Sequence, residues 1–120
     1  PMHTILPAMA FRDGVPVLSF GVMGGHYQPL GHAWVISNWL DFGMDLQEAI
    51  DAPRIHAENG ELRVERPVSG STREALRRLG HQVVESETPI GGAQMIFIDR
   101  QAGVLHGASD PRKDGCALGY

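Results

Sequence analysis

The sequence has a single cysteine, no basic stripe and no long apolar run. Cys116 cannot form a disulfide within the chain. It is not predicted to be a nucleophile, because no base lies beside it in the sequence. A net charge of −4 at pH 7 argues against nucleic acid as a partner. No segment has the length of a membrane span, and residues 1–4 do not indicate a signal peptide. Composition and length fit one globular domain, or part of one.

Common catalytic and metal-binding motifs are also missing. His26 and His32 lie six residues apart, unlike H-E-x-x-H, and the other four histidines are scattered, so no metal site is predicted. No serine has the G-x-S-x-G pattern of a nucleophile elbow, although Ser19 and Ser109 each match half of it. The carboxylates within residues 41–51 fit helix caps and exposed faces better than an acid and base pair.

The most informative stretch is rich in glycine and runs from Ser19 to Pro29, between an apolar strand and a predicted helix. Its glycine pair, Gly24 and Gly25, allows backbone dihedrals closed to other residues and leaves no side chain to block a ligand. Pro29 suits the first turn of a helix, whose free N–H groups and positive dipole end then lie close to the pair. The stretch therefore predicts an anion or oxyanion site.

Three interpretations of the glycine pair are compatible with the residues. A glycine pair after a strand is often a plain turn. A phosphate cradle would need either the G-x-G-x-x-G spacing or the lysine and hydroxyl of G-x-x-x-x-G-K-[ST], and both are missing. The third interpretation is an oxyanion hole for acyl transfer, in which backbone N–H groups stabilise the negative oxygen of a tetrahedral intermediate. Such a hole needs a nucleophile from elsewhere.

Hydrophobic periodicity, turn dipeptides and capping patterns predict the secondary structure. We expect strands over residues 5–11, 15–20, 54–57, 61–65, 82–85, 93–99 and 104–107. We also expect a largely buried helix over residues 28–42 and a short helix capped by Asp45. A third helix is expected to be capped by Ser71, with Arg73, Arg77 and Arg78 facing solvent. This order predicts an α/β (α+β) fold with a mainly antiparallel sheet and packed helices. Residues 1–120 contain no repeat or linker and are expected to form a single domain.

Several short motifs, in order along the whole chain, carry a family resemblance. They are residues 1–7, Gly24-Gly25, residues 38–43, Asp51-Ala52-Pro53-Arg54, Gly92-Ala93-Gln94, Gly107-Ala108-Ser109-Asp110-Pro111-Arg112 and Gly119-Tyr120. Over these motifs the sequence resembles the C-terminal part of the small subunit of the gamma-glutamyltransferases, which are N-terminal nucleophile hydrolases. The resemblance implies part of an αββα sandwich, and a C-terminal fragment of a longer protein, here called the parent protein.

The resemblance also implies the chemistry of the parent protein. In this family a threonine exposed by self-cleavage attacks the γ-glutamyl carbonyl of glutathione or a related amide, and the acyl group passes to water or an amine. Thr4, Thr72 and Thr88 are all internal here, so the nucleophile is expected in the remainder of the parent chain, which includes the large subunit. No cofactor is implied. The isolated fragment is expected to self-associate. Family members are often periplasmic, secreted or membrane-anchored outside the cell, and a cytoplasmic location is compatible, so no compartment is assigned.

Particular positions take family roles by the same resemblance. Gly24 and Gly25 match the glycine pair that stabilises the oxyanion. His3 and Thr4 stand where the family has two serines that hold the α-carboxylate of the glutamyl group, and Thr4 keeps a hydroxyl donor. His26 adjoins the pair and is a candidate substrate contact, with the alternative that it simply faces solvent.

Two further expectations complete the sequence analysis. Ser109, Asp110 and Arg112 are expected to brace the site and not to contact substrate. The loss of both family serines, at His3 and Thr4, favours an alternative in which the chain is a non-catalytic interaction subunit or degenerate homologue. A third interpretation is an anion-binding module that uses the same glycine pair.

Overall fold

The computed structural model describes residues 5–120 as two compact units. The first contains the chain up to Asp51 together with Gly91–Tyr120, and the second contains Ala52–Ile90. The elements, in order, are β1 (Pro7–Arg12), β2 (Val15–Met23), a 3-10 turn (Gly25–Tyr27), α1 (Gln28–Leu40), α2 (Leu46–Asp51), β3 (Ile55–Glu58), β4 (Glu61–Val64), α3 (Gly70–Arg78), β5 (Gln82–Glu85), β6 (Gly92–Asp99) and β7 (Val104–Ser109). No helix in this part of the chain is long and apolar enough to cross a membrane. A single domain over residues 1–120 stays a prediction.

An antiparallel sheet in the order β1-β2-β6-β7 forms the centre of the first unit. α1 contacts β2, and α2 contacts β6 and β7. Leu18 and Val22 of β2, Met95 of β6 and Val35 of α1 are buried in this unit. The register pairs Leu18 with Phe97, so the buried side chains of neighbouring strands share one face. The predicted antiparallel sheet with packed helices is confirmed.

The opposite face of this sheet carries exposed apolar side chains. Met9 in β1, Ile96 in β6 and Leu105 in β7 are 52%, 46% and 67% exposed. Strand register and alternation place all three on the face away from Leu18. A helix layer on one face and an apolar open face form one half of an αββα sandwich.

The second unit is a three-stranded sheet in the order β3-β4-β5, with α3 connecting the parallel pair β4 and β5. Its β3–β4 hairpin turns at Asn59 and Gly60, both with positive φ, as Asn-Gly predicts. Glu65 organises the unit from a buried position, because its carboxylate accepts hydrogen bonds from the backbone N–H groups of Arg54, at 2.9 Å, and Ile90, at 3.0 Å. These bonds hold the two ends of the unit beside β4.

Two helix ends differ from their predictions. α1 ends at Leu40, earlier than predicted, and Leu40 and Phe42 are 57% and 73% exposed, so this end is less buried than expected. α3 begins at Gly70, and its cap is Ser69 instead of Ser71: the Ser69 Oγ accepts from the Thr72 N–H at 3.1 Å. The neighbouring serines gave the sequence more than one possible cap.

The prediction that Arg73 faces solvent with Arg77 is wrong. The Arg73 side chain is only 16% exposed, and it donates to the carbonyl oxygens of Val68 and Arg66, both at 2.9 Å. It also forms an ion pair with Glu85 at 2.8 Å. The loop before α3 turns its carbonyl groups toward this guanidinium, an arrangement that helical periodicity does not reveal.

Candidate functional site

The glycine pair joins β2 to the helical segment without an intervening loop. β2 ends at Met23, and Gly24 and Gly25 follow with φ of 132° and 57°. The Tyr27 N–H donates to the Gly24 carbonyl at 3.0 Å and closes the 3-10 turn. α1 follows at once, with Pro29 in its first turn. Both glycine dihedrals lie where L side chains are strained, so the sequence requires glycine for this connection.

The backbone N–H groups of Gly24 and Gly25 are the chemically notable atoms of this turn. Within residues 5–120, neither N–H donates a hydrogen bond, and both residues are exposed. Among residues 5–120, apart from Gly25 and its two chain neighbours, no heavy atom lies within 4 Å of the position that a Cβ of Gly25 would occupy. Two neighbouring donors beside the N-terminal end of a helix are thus accessible to a ligand. An anion or a developing negative oxygen is the ligand that such donors favour.

The inner side of the turn is tightly packed. A Cβ on Gly24 would lie 3.0 Å from the Gly91 Cα, and a Cβ on Gly91 would lie 2.6 Å from the Tyr27 ring and 2.7 Å from the Met23 carbonyl oxygen. Tyr27 itself is only 2% exposed. The missing side chains at Gly24 and Gly91 therefore let the turn and the start of β6 approach each other around the tyrosine ring.

Asp110 connects the loop after β7 to the start of β6. Its side chain is fully buried, and it accepts from the Ala93 N–H at 2.6 Å and the Arg112 N–H at 2.9 Å. The Arg112 guanidinium continues to the Ile50 carbonyl at 3.0 Å, at the end of α2. These hydrogen bonds hold three segments of the first unit together, which fits the predicted bracing role of Asp110 and Arg112.

Gln47 holds the same loop from α2. Its side-chain amide donates to the Ser109 carbonyl at 3.0 Å and accepts from the Ser109 N–H at 3.2 Å. The amide thus bonds to both backbone groups of one residue, as a neighbouring strand does. Ser109 is therefore held at the end of β7 by its backbone groups, and its hydroxyl forms neither of these two hydrogen bonds.

A chain of hydrogen-bond contacts runs from the glycine turn to the start of β1. The Gln28 side chain donates to the Gly25 carbonyl at 3.2 Å, and the Gln28 carbonyl contacts His32 Nδ1 at 2.7 Å. His32 Nε2 contacts the Leu6 carbonyl, also at 2.7 Å. The imidazole packs beside Phe20, with ring centroids 5.3 Å apart. His32 therefore links α1 to the segment that enters β1.

The predicted site residues have different outcomes. Gly24, Gly25 and His26 are adjacent in the exposed turn. The His26 side chain forms no hydrogen bond within residues 5–120. His3 and Thr4 lie outside the described residues. No three His, Cys, Asp or Glu side chains between residues 5 and 120 cluster so as to hold a metal ion. The roles of all five residues remain predictions.

Sequence reasoning missed the supports of the turn. Gly91 falls between the strands predicted over residues 82–85 and 93–99 and was given no role, and His32 was considered only as a metal ligand. A signal existed for His32, because it stands four residues after Gln28 and therefore one turn along the same helix face. No sequence pattern showed that Gly91 approaches Tyr27, because that contact depends on the pairing of β2 with β6.

The whole chain, residues 1–120, matches the family model described as Gamma-glutamyltranspeptidase. The chain therefore belongs to this family, within the N-terminal nucleophile hydrolases. It is 39% identical to the glutathione hydrolase-like YwrD proenzyme of Bacillus subtilis, over 98% of this chain and 24% of that protein. It thus spans about a fifth to a quarter of the length of the curated relatives that it matches.

Solved structures share the fold. The chain is similar to a cephalosporin acylase from Bacillus halodurans, with a TM-score of 0.88 and 40% identity over 98% of this chain and 23% of that one. It is also similar to a gamma-glutamyltranspeptidase from Pseudomonas nitroreducens, with a TM-score of 0.86 and 25% identity over 98% of this chain and 62% of that one. The fold is therefore that of the gamma-glutamyltranspeptidase branch of the N-terminal nucleophile hydrolases.

Proposed function

We propose that this chain supplies the oxyanion hole and part of the substrate pocket of an acyl-transfer enzyme. The parent protein would move a γ-glutamyl or related acyl group from an amide to water or an amine. One observation carries the proposal: the N–H groups of Gly24 and Gly25 donate no hydrogen bond within residues 5–120 and lie in an exposed turn at the start of α1. Family membership supplies the class of reaction.

The proposed chemistry uses a threonine from the remainder of the parent chain. Its hydroxyl attacks the acyl carbon, its own amine takes the hydroxyl proton, and the carbonyl electron pair moves onto oxygen. The Gly24 and Gly25 N–H groups donate to that oxygen, whose charge is greater than in the substrate, and so lower the barrier. The intermediate then breaks its C–N bond, and the leaving amine takes the proton. Water or an amine attacks the acyl-enzyme in the same way.

Recognition of the acyl group falls to neighbouring residues in this proposal. Thr4, with His3, would contact the substrate carboxylate, and His26 would contact substrate from the exposed side of the turn. The register supports this arrangement, because β1 pairs Pro7 with Gly21 and so enters the sheet at the end of β2 that leads into the glycine pair.

A second class of acyl donor follows from residues 3 and 4, where this chain has His3 and Thr4 in place of the two serines of the family. The family serines are absent there, and a cephalosporin acylase is among the similar structures, at 40% identity. A donor without the glutamyl α-carboxylate would not need those serines. We therefore include a cephalosporin amide as an alternative donor to γ-glutamyl compounds.

The test uses the full-length parent protein and its hydrolysis of γ-glutamyl-p-nitroanilide, beside a cephalosporin amide. Gly25→Val distorts the turn at a positive φ and fills the open side of the pair, so we expect kcat/KM to fall about 10²- to 10³-fold. Gly14→Val is the matched control, because Gly14 also has positive φ, 76°, and open space around it, but lies in the β1–β2 hairpin. The control is expected to stay within about threefold of the unmodified protein.

A variant of the parent without its threonine nucleophile completes the comparison. Activity that disappears in this variant and in Gly25→Val, on either donor, supports the acyl-transfer proposal. Equal activity of Gly25→Val and Gly14→Val would contradict the oxyanion role. A correctly cleaved and folded parent that is inactive on every amide tested would favour the non-catalytic alternative.

A further inference from the structure

We infer that Lys113 selects acyl donors that end in a carboxylate, because it holds a cationic group beside the glycine turn. Lys113 is the only lysine of the sequence and lies in the loop after β7. This role rests on the proposed function and deepens it. The N–H groups of Gly24 and Gly25 stabilise any carbonyl oxygen, so they give the site no preference among acyl groups. A charged side chain near them supplies such a preference.

The first step is the anchor of the Lys113 backbone. Its N–H donates to the Asp110 carbonyl at 3.1 Å. Asp110 bonds in turn to both backbone groups of Ala93: its N–H donates to the Ala93 carbonyl at 3.1 Å, and its carboxylate accepts from the Ala93 N–H at 2.6 Å. The loop that carries Lys113 is therefore fixed to the start of β6, at the end of the sheet where β2 leads into the glycine turn.

The second step is the position of the Lys113 side chain. A Cβ on Gly92 would lie 2.7 Å from Lys113 Cγ, 3.4 Å from Cδ and 3.1 Å from Cε, so the aliphatic stem lies directly against this glycine. Gly92 is the strand partner of Met23, and strand alternation places both on the face away from buried Leu18. The stem thus lies on the open face of the sheet, in space that the missing side chain of Gly92 provides.

The third step is the reach of the ammonium group. Paired Cα atoms of antiparallel strands are about 4.5–5.5 Å apart, so even a fully extended path from Gly92 through Met23 places Lys113 Nζ at most about 14 Å from the Gly24 nitrogen. A five-carbon acyl chain that ends in a carboxylate, with one hydrogen bond at each end, spans about 13 Å. Any bend in the path shortens the first distance, so one donor can contact both groups.

The fourth step is the charge at this end of the sheet. The arginines of the first unit are Arg12, Arg100 and Arg112. Arg12 ends β1 and Arg100 follows β6, so both lie at the opposite end of the sheet. Arg112 forms an ion pair with buried Asp110 at 3.2 Å. Within residues 5–120 the Lys113 side chain is exposed and forms no hydrogen bond or ion pair, so its charge is available to an anionic ligand.

The experiment uses the full-length parent and two p-nitroanilides that differ in charge. Glutaryl-p-nitroanilide has a five-carbon acyl chain that ends in a carboxylate, and its analogue ends in a carboxamide of nearly the same shape. Lys113→Met keeps the stem against Gly92 and removes the charge, so we expect KM for the glutaryl donor to rise about tenfold, with kcat within about twofold. KM for the carboxamide donor is expected to change less than about twofold. Lys113→Arg restores a cation and is expected to recover at least about half of the rise in log KM.

Arg100→Met is the matched control. It removes the same charge at the opposite end of the sheet and is expected to leave both KM values unchanged. An equal rise in KM for both donors in Lys113→Met would overturn the inference, because a merely structural role does not distinguish a carboxylate from a carboxamide.

Gly92→Ala tests the position of the stem without removal of the charge. A Cβ there would lie 2.7 Å from Lys113 Cγ, so the stem must move. We expect KM for the glutaryl donor to rise about threefold in the otherwise unmodified parent and to show no further change in Lys113→Met. Equal rises in the two backgrounds would mean that Gly92 does not act through Lys113, and would contradict the assigned position of the ammonium group.

Acetylation of Lys113 gives a readout that does not need activity. Glutarate carries the same carboxylate and no scissile bond, so we expect it to slow acetylation of Lys113 by acetic anhydride about fivefold in the unmodified parent, measured by mass spectrometry. Glutaramide, the neutral diamide, is the control and is expected to give no protection. Equal rates with and without glutarate would overturn the inference. If the parent is inactive on every donor while glutarate protects Lys113, the proposed function fails and the anion site stands.

Discussion

The two glycine pairs of the first unit, Gly24-Gly25 and Gly91-Gly92, are the same dipeptide at the same end of the sheet. Met23, just before the first pair, is the strand partner of Gly92. Gly25 has open space where a Cβ would be, whereas a Cβ on Gly91 would lie 2.6 Å from the Tyr27 ring and one on Gly92 would lie 2.7 Å from the Lys113 side chain. At Gly25 glycine is needed for its dihedral and its accessibility alone, whereas at Gly91 and Gly92, and also at Gly24, it is needed for close packing.

The comparison separates two reasons for glycine that a sequence cannot separate. At Gly25 of the first pair, the absent side chain leaves backbone donors accessible to a ligand. In the second, the absent side chain lets a buried aromatic ring and a carbonyl oxygen approach the backbone. The first pair would then govern the reaction and the second the stability of the turn. The following substitutions test this division.

The largest effect on stability is expected at Gly91. Gly91→Val must displace the Tyr27 ring and the Met23 carbonyl and adopt a strained positive φ of 65°. We expect the free energy of local opening to fall by about 3 kcal/mol or more. Native-state hydrogen exchange of residues 20–31 in the parent protein measures this change.

Gly103→Val is the control for the backbone strain alone. Gly103 has a φ of 71°, and in the described part of the chain nothing beyond its chain neighbours lies within 4 Å of its Cβ position. The variant is therefore expected to lose about 1–2 kcal/mol, confined to the β6–β7 turn. Equal losses at Gly91 and Gly103 would show that packing around Tyr27 contributes nothing, and would remove the distinction between the two pairs.

An intermediate effect is expected from Asp110→Asn. The amide keeps the shape of the side chain but loses its charge. One carboxylate oxygen is replaced by an NH2 group, which cannot accept, so the hydrogen bond from either the Ala93 N–H or the Arg112 N–H is lost. We expect a loss of about 2 kcal/mol, read from exchange at residues 92–95. Exposed Asp114→Asn is the control. An unchanged exchange rate at Ala93 would mean that this carboxylate does not support the second pair.

The smallest effect is expected from Gln47→Ala. The substitution removes two hydrogen bonds to the backbone of Ser109, but both groups are reachable by water, so the expected loss is about 1 kcal/mol. Gln101→Ala, in the exposed turn before β7, is the matched control. Exchange at the end of β7 measures the difference. A loss as large as that of Asp110→Asn would place the main support of the loop in α2 instead of β6.

The sequence predicted the local elements well because their signals are local. The Asn59-Gly60 hairpin, the strand over residues 82–85 and the Asp45 cap of α2 each depend on neighbouring residues, and each is present. The Ser71 cap and the solvent-facing Arg73 were wrong for a related reason. Several serines compete for the cap, and the carbonyl groups that bind Arg73 come from a loop whose course is set by packing.

The candidate site was predictable only in part. The dihedral freedom of Gly24 and Gly25 is a property of the residues themselves, so the turn was foreseen. Gly91 and His32 act on partners that strand pairing and helix packing bring near, at a long distance in sequence. A single sequence does not contain those distances, and so the supports of the turn were not foreseen.

The unbonded N–H groups of the glycine pair have a consequence for how the protein changes by substitution during evolution. A backbone N–H belongs to every residue except proline, so no ordinary substitution deletes it, and only a change of conformation removes it from use. The residues proposed to recognise the acyl group act through their side chains, and a single substitution changes a side chain. Under the proposed function, such a protein line can lose or exchange its substrate while it keeps the backbone donors that would stabilise the oxyanion. Similar chains with names as different as glutathione hydrolase and cephalosporin acylase are what this separation would produce.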